Sequence, residues 1–299
     1  MEGSLRSITE AMLETRVWKP EGEIRAIVQI LHGMAEHIDC YAETAKRLNQ
    51  AGVLVVGHNH LGHGQGAEQL GHFGKGGFDA LVDDAHAMRL ETQKAYPGVP
   101  FFLLGHSMGS FVARNYCLVY ERGLSGVILS GTGHFPAMLV TEGLILANLF
   151  CALGGEKKPA KFLETMSFAG YNRDWSPVRT EKDWISCNTE KVDNYIADPL
   201  CGFPFTNGAY RDLFRGLKKL YPRNLKTMDK TVPILLYAGA SDPVGGRGQG
   251  VQKVAAELKA AGVKDVTVKL YQNGRHEMHN EPNREEVFQY MLDWMFSRQ

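Results

Sequence analysis

A serine flanked by glycines is the feature of this sequence that most directly suggests chemistry. Residues 105–109 read GHSMG; they follow the apolar run FFLL and precede an apolar helical pattern. In a G-x-S-x-G turn between a strand and a helix, the glycines allow a sharp bend that exposes the serine hydroxyl, and the helix N-terminus supplies free N–H groups. Ser107 is therefore the predicted nucleophile, and a plain glycine-rich turn is the alternative.

A serine hydroxyl needs a base to take its proton and an acid to orient that base. In this kind of site the chain order is serine, acid, histidine. Asp242 follows the apolar run VPILLY, and His276 follows the run VTVKLY. Both therefore lie after strands, where the ligand sites of open α/β sheets occur. His279 competes with His276, and Asp242 could instead cap a turn.

Acyl transfer also requires N–H donors for the negative charge that develops on the carbonyl oxygen. One donor is expected from the residue after the nucleophile, Met108. The other is expected from the HGMAEH loop at 32–37, where Met34 is the candidate. His32, which opens the HGMAEH loop, and His106, which precedes Ser107, are candidate substrate-binding residues. Further substrate-binding residues are expected in the segment 134–228, but none is assigned.

The elements that must position these residues alternate along both ends of the chain. Apolar runs are found at 24–31, 53–57, 101–104, 127–130, 232–237 and 266–271, with helical patterns at 41–50, 78–96, 108–120, 250–261 and 284–297. This alternation predicts an α/β protein with a mostly parallel central sheet flanked by helices. Residues 134–228 contain helical patches but no clear buried strand. We therefore expect a core formed by 1–133 and 229–299, with 134–228 inserted as a helical cap.

Composition narrows the class of function. The 299 residues carry 33 Lys plus Arg against 33 Asp plus Glu, and 44% are hydrophobic. These values are typical of a soluble globular protein. They supply no bulk basic surface for nucleic acid, which is therefore not an expected partner.

Cysteine usage and the apolar segments bear on location. The five cysteines show no CxxC spacing, and the N-terminal residues have no apolar signal-like core. A cytoplasmic location is therefore expected. The segment 137–153 is apolar but short for a membrane span, and Glu142 and Asn148 interrupt it. It predicts a buried or lipid-facing helix, so transient contact of the cap with a membrane surface, or pairing with another subunit, stays open.

Together these motifs resemble the monoacylglycerol lipase and lysophospholipase branch of the α/β-hydrolase superfamily. The matching segments are HGMAEH (32–37), GHG (62–64), GHSMG (105–109), SD (241–242) and GRHE (274–277). The resemblance implies the α/β-hydrolase fold with a cap, a Ser-His-Asp triad that forms an acyl-enzyme, and ester substrates with an acyl chain. It implies no metal and no organic cofactor.

The sequence departs from this family's pattern at two positions. Asn59 stands where an aspartate is common, and Ser110 stands where glycine is usual. The cap has no transferable motif, so a monoacylglycerol, a lysophospholipid and a small soluble ester, lactone or amide all remain candidate substrates.

Two other classes of function also stay open. A metallohydrolase could use His58, His60 and His63, or the HExH segment at 276–279. A binding module could keep the fold without the chemistry.

Overall fold

The computed structural model describes residues 3–298 and contains one sheet of eight strands. They are β1 (Gly3–Arg6), β2 (Met12–Trp18), β3 (Ala26–Leu31), β4 (Val53–His58), β5 (Phe101–His106), β6 (Gly126–Ser130), β7 (Ile234–Gly239) and β8 (Val266–Tyr271). Their order is β1-β2-β4-β3-β5-β6-β7-β8. Only β2 runs antiparallel to its neighbours, and the pairs from β4 to β8 are parallel. The predicted mostly parallel sheet is confirmed.

Helices cover both faces of this sheet. They are α1 (Ala42–Asn49), α2 (Gly77–Ala95), α3 (Met108–Tyr116), α4 (Ala137–Phe150), α5 (Lys161–Phe168), α6 (Thr189–Ala197), α7 (Asn207–Lys219), α8 (Gln249–Ala260) and α9 (Arg284–Phe296). Side chains of β3 alternate between two cores: Ile27 packs with α2, α3 and α8, whereas Val28 packs with α1 and α9. This period of two explains why the buried strands are continuously apolar.

Helices α4 to α7 all lie between β6 and β7, which are neighbours in the sheet. Within the described chain from 131 to 233 no strand occurs, although Pro159 and Thr206 form an isolated bridge. Helix α4 packs against α7, where Gly143 leaves room for the ring of Phe214. The chain therefore leaves the sheet after β6 and returns beside the same strand.

Two strands and one boundary differ from the sequence-based expectation. No strand was expected before residue 24, yet β1 and β2 form a hairpin that joins the sheet at β4. The sequence does not indicate this hairpin, because it lies at the edge of the sheet and has few apolar residues. Only Leu13 and Thr15 of β2 are buried. Strand β7 begins two residues later than predicted, because Pro233 has no N–H to donate to the ladder.

The apolar segment after β6 is mostly exposed. The helical stretch Ala137–Gly155, which is α4 and the turn that continues it, has a mean hydropathy of 1.8, and 17% of it is buried. It is the one helix in the described chain that is long and apolar enough to cross a membrane. Met138, Ile145 and Leu153 are among its exposed side chains. The sequence predicted a helix that is either buried or lipid-facing. Burial is wrong for most of the surface of this helix.

Candidate active site

Ser107 occupies the bend between β5 and α3. Its backbone has φ +50° and ψ −119°, an unfavourable conformation for a residue with a side chain. The N–H of Ser107 donates to the carbonyl of Ser130 (2.9 Å), which anchors the bend to β6. Ser110, the departure from the family pattern, donates to the Ser107 carbonyl from both its N–H (2.9 Å) and its hydroxyl (2.6 Å). The strained turn is therefore held from both sides.

The two glycines of the GHSMG segment are required by close backbone contacts. A Cβ at Gly105 would overlap the carbonyl of Gly109, and a Cβ at Gly109 would overlap the carbonyl of Leu31. Any larger residue would push α3 away from β3 and β5. The glycines thus set the position of the Ser107 hydroxyl relative to the sheet.

His276 and Asp242 meet in the loops after β8 and β7. Nδ1 of His276 donates to Oδ2 of Asp242 at 3.0 Å, and the side chains are almost fully buried. The second carboxylate oxygen, Oδ1, accepts the N–H of Val244 at 2.9 Å. With its proton held on Nδ1, the imidazole presents an unprotonated Nε2, which is the state a general base needs. His279 instead stacks on Tyr41, with ring centroids 5.0 Å apart.

Two further aromatic rings surround the His276 imidazole. The ring of His106 lies 4.7 Å from it and that of Trp184 lies 5.1 Å from it, between centroids. Burial lowers the pKa of His106 well below its ordinary value, so it remains neutral beside His276. The position of Trp184 was not foreseen, because this part of the middle segment carries no recognisable motif.

The loop at 32–37 lies beside Ser107, and among the described residues one of its inner N–H groups has no acceptor. The N–H of Gly33 donates to Oε1 of Glu36, and that of Ala35 donates to Nε2 of His63 at 3.3 Å. Within residues 3–298, the intervening Met34 N–H has no acceptor. A Cβ at Gly33 would lie 3.2 Å from that of Ser107, so the loop is in close contact with the serine.

Met108 contributes a second free donor from the other side. It is the first residue of α3, so its N–H has no acceptor within the helix. Met34 and Met108 both line the same cavity as Ser107. The structure therefore brings together the two N–H groups predicted from the sequence.

Glu36 belongs to the loop at 32–37, and its contacts were not predicted from the sequence. Its Oε1 accepts both the Gly33 N–H and the hydroxyl of Tyr41, the latter at 2.7 Å. Burial raises the pKa of this carboxyl well above its ordinary range. Glu36 thereby fixes the conformation of the loop that carries Met34.

The two predicted substrate-binding histidines have different environments. His106 lines the cavity. His32 lies outside it, fully buried: its Nδ1 donates to the Gly33 carbonyl and its Nε2 accepts the N–H of His60, both at 2.9 Å. His32 thus supports the loop from below. Asn59 has a similar supporting role, because its Oδ1 accepts the Ile38 N–H at 2.8 Å.

The histidines considered as metal ligands do not converge. His58 and His60 have ring centroids 5.3 Å apart. Burial lowers the pKa of His58 and of His63 to about 4. Across the described residues, the one group of three or more potential ligand atoms within 4.8 Å of one another is His37, Cys40 and Cys201.

Ser107 and His276 lie at the base of a cavity of about 270 Å³. Its lining is mostly apolar, and much of it comes from the helices and loops between β6 and β7, including Leu139, Val140, Leu163, Phe168, Phe203 and Leu213. Such a cavity accepts an acyl chain and excludes water from the base, where charge would develop.

Similarity to known proteins agrees with this geometry. The family described as "Serine aminopeptidase, S33" matches residues 22–283. The chain is 32% identical to human monoglyceride lipase over 275 residues, which is 89% of this chain and 80% of the relative. It is 28% identical to the monoacylglycerol lipase of Mycolicibacterium smegmatis over 286 residues, 94% of this chain and 91% of the relative.

A solved structure extends the comparison to the fold. A highly thermostable carboxyl esterase from Bacillus coagulans, in complex with glycerol, superposes with a TM-score of 0.93 at 29% identity. The match covers 99% of this chain and 98% of the esterase. The chain therefore belongs to the serine aminopeptidase S33 family, and it is an α/β-hydrolase and a serine hydrolase.

Proposed function

We propose that this enzyme hydrolyses monoacylglycerol-like carboxylic esters through Ser107, His276 and Asp242. The observation that carries the proposal is the placement of Ser107 and His276 together at the base of an apolar cavity. The names of its relatives, monoglyceride lipases and a carboxyl esterase, point to the same bond type.

The proposed reaction has two half-reactions, acylation and deacylation, and both use the same groups. Ser107 Oγ attacks the ester carbonyl while Nε2 of His276 takes its proton, and Asp242 stabilises the imidazolium. The N–H groups of Met34 and Met108 donate to the oxyanion of the tetrahedral intermediate. His276 then protonates the departing alcohol. A water molecule, deprotonated by His276, releases the fatty acid from the acyl-enzyme.

Charge in the cavity favours a neutral glycerol ester over a lysophospholipid. Within the described part of the chain, its ionisable side chains other than histidine and tyrosine are one lysine and four glutamates: Lys182, Glu36, Glu142, Glu164 and Glu277. A headgroup with a net negative phosphate charge is stabilised by cationic or N–H donors, and here carboxyls outnumber the one cation. Burial raises the pKa of Glu277 to about 7, so this carboxyl is partly neutral near neutral pH, which suits hydroxyl groups of glycerol.

Residues 134–228 act in this proposal as the cap over the core formed by 1–133 and 229–299. The exposed apolar side chains of α4 would contact a lipid surface transiently and allow an acyl chain to enter the cavity. All five cysteines are free thiols, which supports a cytoplasmic location.

The test compares substrates that differ in one property. Hydrolysis of p-nitrophenyl esters from acetyl to palmitoyl, a monoacylglycerol and a lysophosphatidylglycerol, whose headgroup is anionic, is measured with the wild type, Ser107→Ala and the surface control Ser297→Ala. We expect Ser107→Ala alone to lose several powers of ten in kcat. We also expect a long-chain optimum and a preference for the monoacylglycerol.

Labelling with a fluorophosphonate provides a check that does not need turnover. The probe is expected on Ser107 in the wild type. Activity that survives in Ser107→Ala, or labelling at another residue, would overturn the assignment of the nucleophile. Faster hydrolysis of the lysophospholipid would overturn the choice of substrate.

A further inference from the structure

The cap and the loop at 32–37 are joined at one place away from the catalytic residues. The carbonyl of Ala35 accepts the N–H of Gly202 at 2.8 Å and the hydroxyl of Tyr195 at 3.0 Å. Next to it, Nε2 of His37 donates to Oδ2 of Asp198 at 2.9 Å. We refer to these contacts between 35–40 and 195–202 as the cap joint.

Two thiols meet inside the cap joint. Sγ of Cys40 lies 3.8 Å from Sγ of Cys201, although the residues are 161 positions apart. Cys201 is buried and Cys40 is half-buried, so solvent reaches one side of the pair. In the described chain, neither Cys117, Cys151 nor Cys187 has another thiol at this distance.

The neighbours of this pair favour a reactive thiolate. A hydrogen bond from Cys201 and then the contact with His37 lower the pKa of Cys40. The same contact with Cys40, together with Asp198, raises the pKa of His37, which keeps the imidazole cationic. A thiolate that is accessible and lies beside a second thiol is the arrangement of cysteines that respond to oxidants.

We propose that Cys40 and Cys201 form a reversible disulfide that fastens the cap to the loop carrying Met34. Hydrogen peroxide is the oxidant. The Cys40 thiolate attacks one peroxide oxygen, so an S–O bond forms, the O–O bond breaks and hydroxide leaves. The Cys201 thiol then loses its proton and attacks the sulfenic sulfur; the S–S bond forms and the S–O bond breaks. In total two thiols and one peroxide give one disulfide and two waters.

The geometry favours this chemistry over metal binding. A structural zinc site takes four protein ligands. His37, Cys40 and Cys201 supply three, and no fourth His, Cys, Asp or Glu of residues 3–298 joins them within the same 4.8 Å limit. A disulfide needs two ligand atoms rather than four, and the sulfurs would close from 3.8 Å to about 2.05 Å.

The bond would tie together two parts that are otherwise held by hydrogen bonds. The segment 198–202 could not leave the loop at 35–40 while the disulfide is intact. Because Phe203 of the cap and Met34 of the loop both line the cavity, the redox state of the cap joint would govern how far this wall can open. This inference does not depend on the identity of the ester substrate.

The experiment treats the reduced full-length protein with hydrogen peroxide, blocks remaining thiols with N-ethylmaleimide and maps peptides by mass spectrometry. The expected product is a cross-linked peptide pair containing Cys40 and Cys201, with a protein mass about 2 Da lower before blocking. Dithiothreitol should reverse it, and the oxidised form should unfold at a temperature several degrees higher.

Variants assign the role of each thiol. Cys40→Ser should form no cross-link, Cys201→Ser should stop at a sulfenic acid that dimedone traps on Cys40, and the exposed control Cys187→Ser should behave as wild type. His37→Asn should slow the oxidation of Cys40 at least tenfold.

Three results would overturn the proposal. They are the absence of a Cys40–Cys201 cross-link in the folded wild type, a cross-link that uses another cysteine instead, or one equivalent of zinc that protects both thiols.

Discussion

The loops at the carboxyl ends of the strands differ in construction from the helices between β6 and β7, which we propose form the cap. In the loops, the groups that would react are polar, buried and hydrogen-bonded, as Asp242 and His276 are at 3.0 Å. In the helices of the proposed cap, the cavity wall is mostly apolar, and Met138 and Ile145 are exposed on the surface. Directional contacts thus fix the chemistry, whereas the shape of apolar surfaces selects what reaches it.

This contrast predicts that substitutions in the two regions affect different kinetic properties. Changes in the loops should lower kcat for every substrate, because they act on groups that contact the reacting atoms or position them. Changes on the outer face of the cap should alter only the use of substrates presented in lipid aggregates. The predictions below test this division.

The largest effect is expected for Asp242→Asn. The amide can still accept the Val244 N–H, but it no longer accepts the proton on Nδ1 of His276 and favours the wrong tautomer. We expect kcat to fall by about 10⁴-fold with little change in KM or in the melting temperature. A loss of less than tenfold on a short p-nitrophenyl ester would mean that Asp242 only caps its turn.

A smaller loss is expected at Glu36. Glu36→Ala removes the acceptor shared by Gly33 and Tyr41, and the Met34 N–H is then less well oriented. We expect kcat to fall by about 10² with short and long esters alike. Glu36→Gln keeps an acceptor oxygen and is the matched control, so it should recover most of that loss. Equal losses in the two variants would argue against a positioning role.

On the outer face of the cap, Ile145→Lys combined with Leu149→Lys should act only on lipid-bound substrate. Both side chains are more than half exposed, so folding should be unaffected. We expect apparent KM on monoacylglycerol in vesicles to rise about tenfold or more. Hydrolysis of soluble p-nitrophenyl butyrate should not change. Val119→Lys, an equally exposed site outside the cap, is the control; a similar effect there would remove the distinction.

The smallest effect is expected at the buried His58, on the pH dependence of the free energy of unfolding. Burial lowers the pKa of His58 from its ordinary value of 6.5 to about 4. Between these pH values the unfolded chain binds a proton that the folded chain does not. The contribution of neutral His58 to the free energy of unfolding is therefore fully present above pH 6.5 and decreases as the pH falls toward 4. Glu277 opposes this trend, because its raised pKa makes protonation favour the fold.

Comparison of the wild type with His58→Leu isolates the contribution of His58. The free energy of unfolding of His58→Leu should depend less on pH than that of the wild type, by up to about 1.4 kcal/mol per pH unit. Urea unfolding between pH 4.5 and 7 measures it. Identical slopes in the two proteins would show that His58 is not neutral in the folded state.

The positions of Ser107, Asp242 and His276 in the fold could be expected from the sequence because they depend on local geometry. The turn at Ser107 needs glycines, and those at 105 and 109 are visible in five residues. Asp242 and His276 each follow an apolar run, so parallel pairing of β7 and β8 places them at one edge of the sheet. Strand order did not have to be known in advance.

Contacts between distant segments could not be expected in the same way. Trp184 reaches His276 only after the middle segment folds over the sheet. Cys40 and Cys201 carry no spacing that indicates contact, and the N-terminal hairpin has too few buried side chains to show a pattern. Such features depend on the packing of whole elements rather than on a motif.

The pairing of β6 with β7 has a consequence for protein engineering. Ser130 lies opposite Tyr237, and the next N–H, of Gly131, still donates to the Tyr237 carbonyl at 3.1 Å. Because the two strands are parallel, the inserted segment leaves the carboxyl end of β6 and returns to the amino end of β7, at the opposite edge of the sheet. The sheet fixes the positions of both ends, whatever connects them. Once a connection is long enough to cross the sheet, a change in its length adds little entropy cost. We expect the segment to behave as an exchangeable cassette, so that grafting a relative's cap between β6 and β7 would transplant its selectivity onto an unchanged reaction centre.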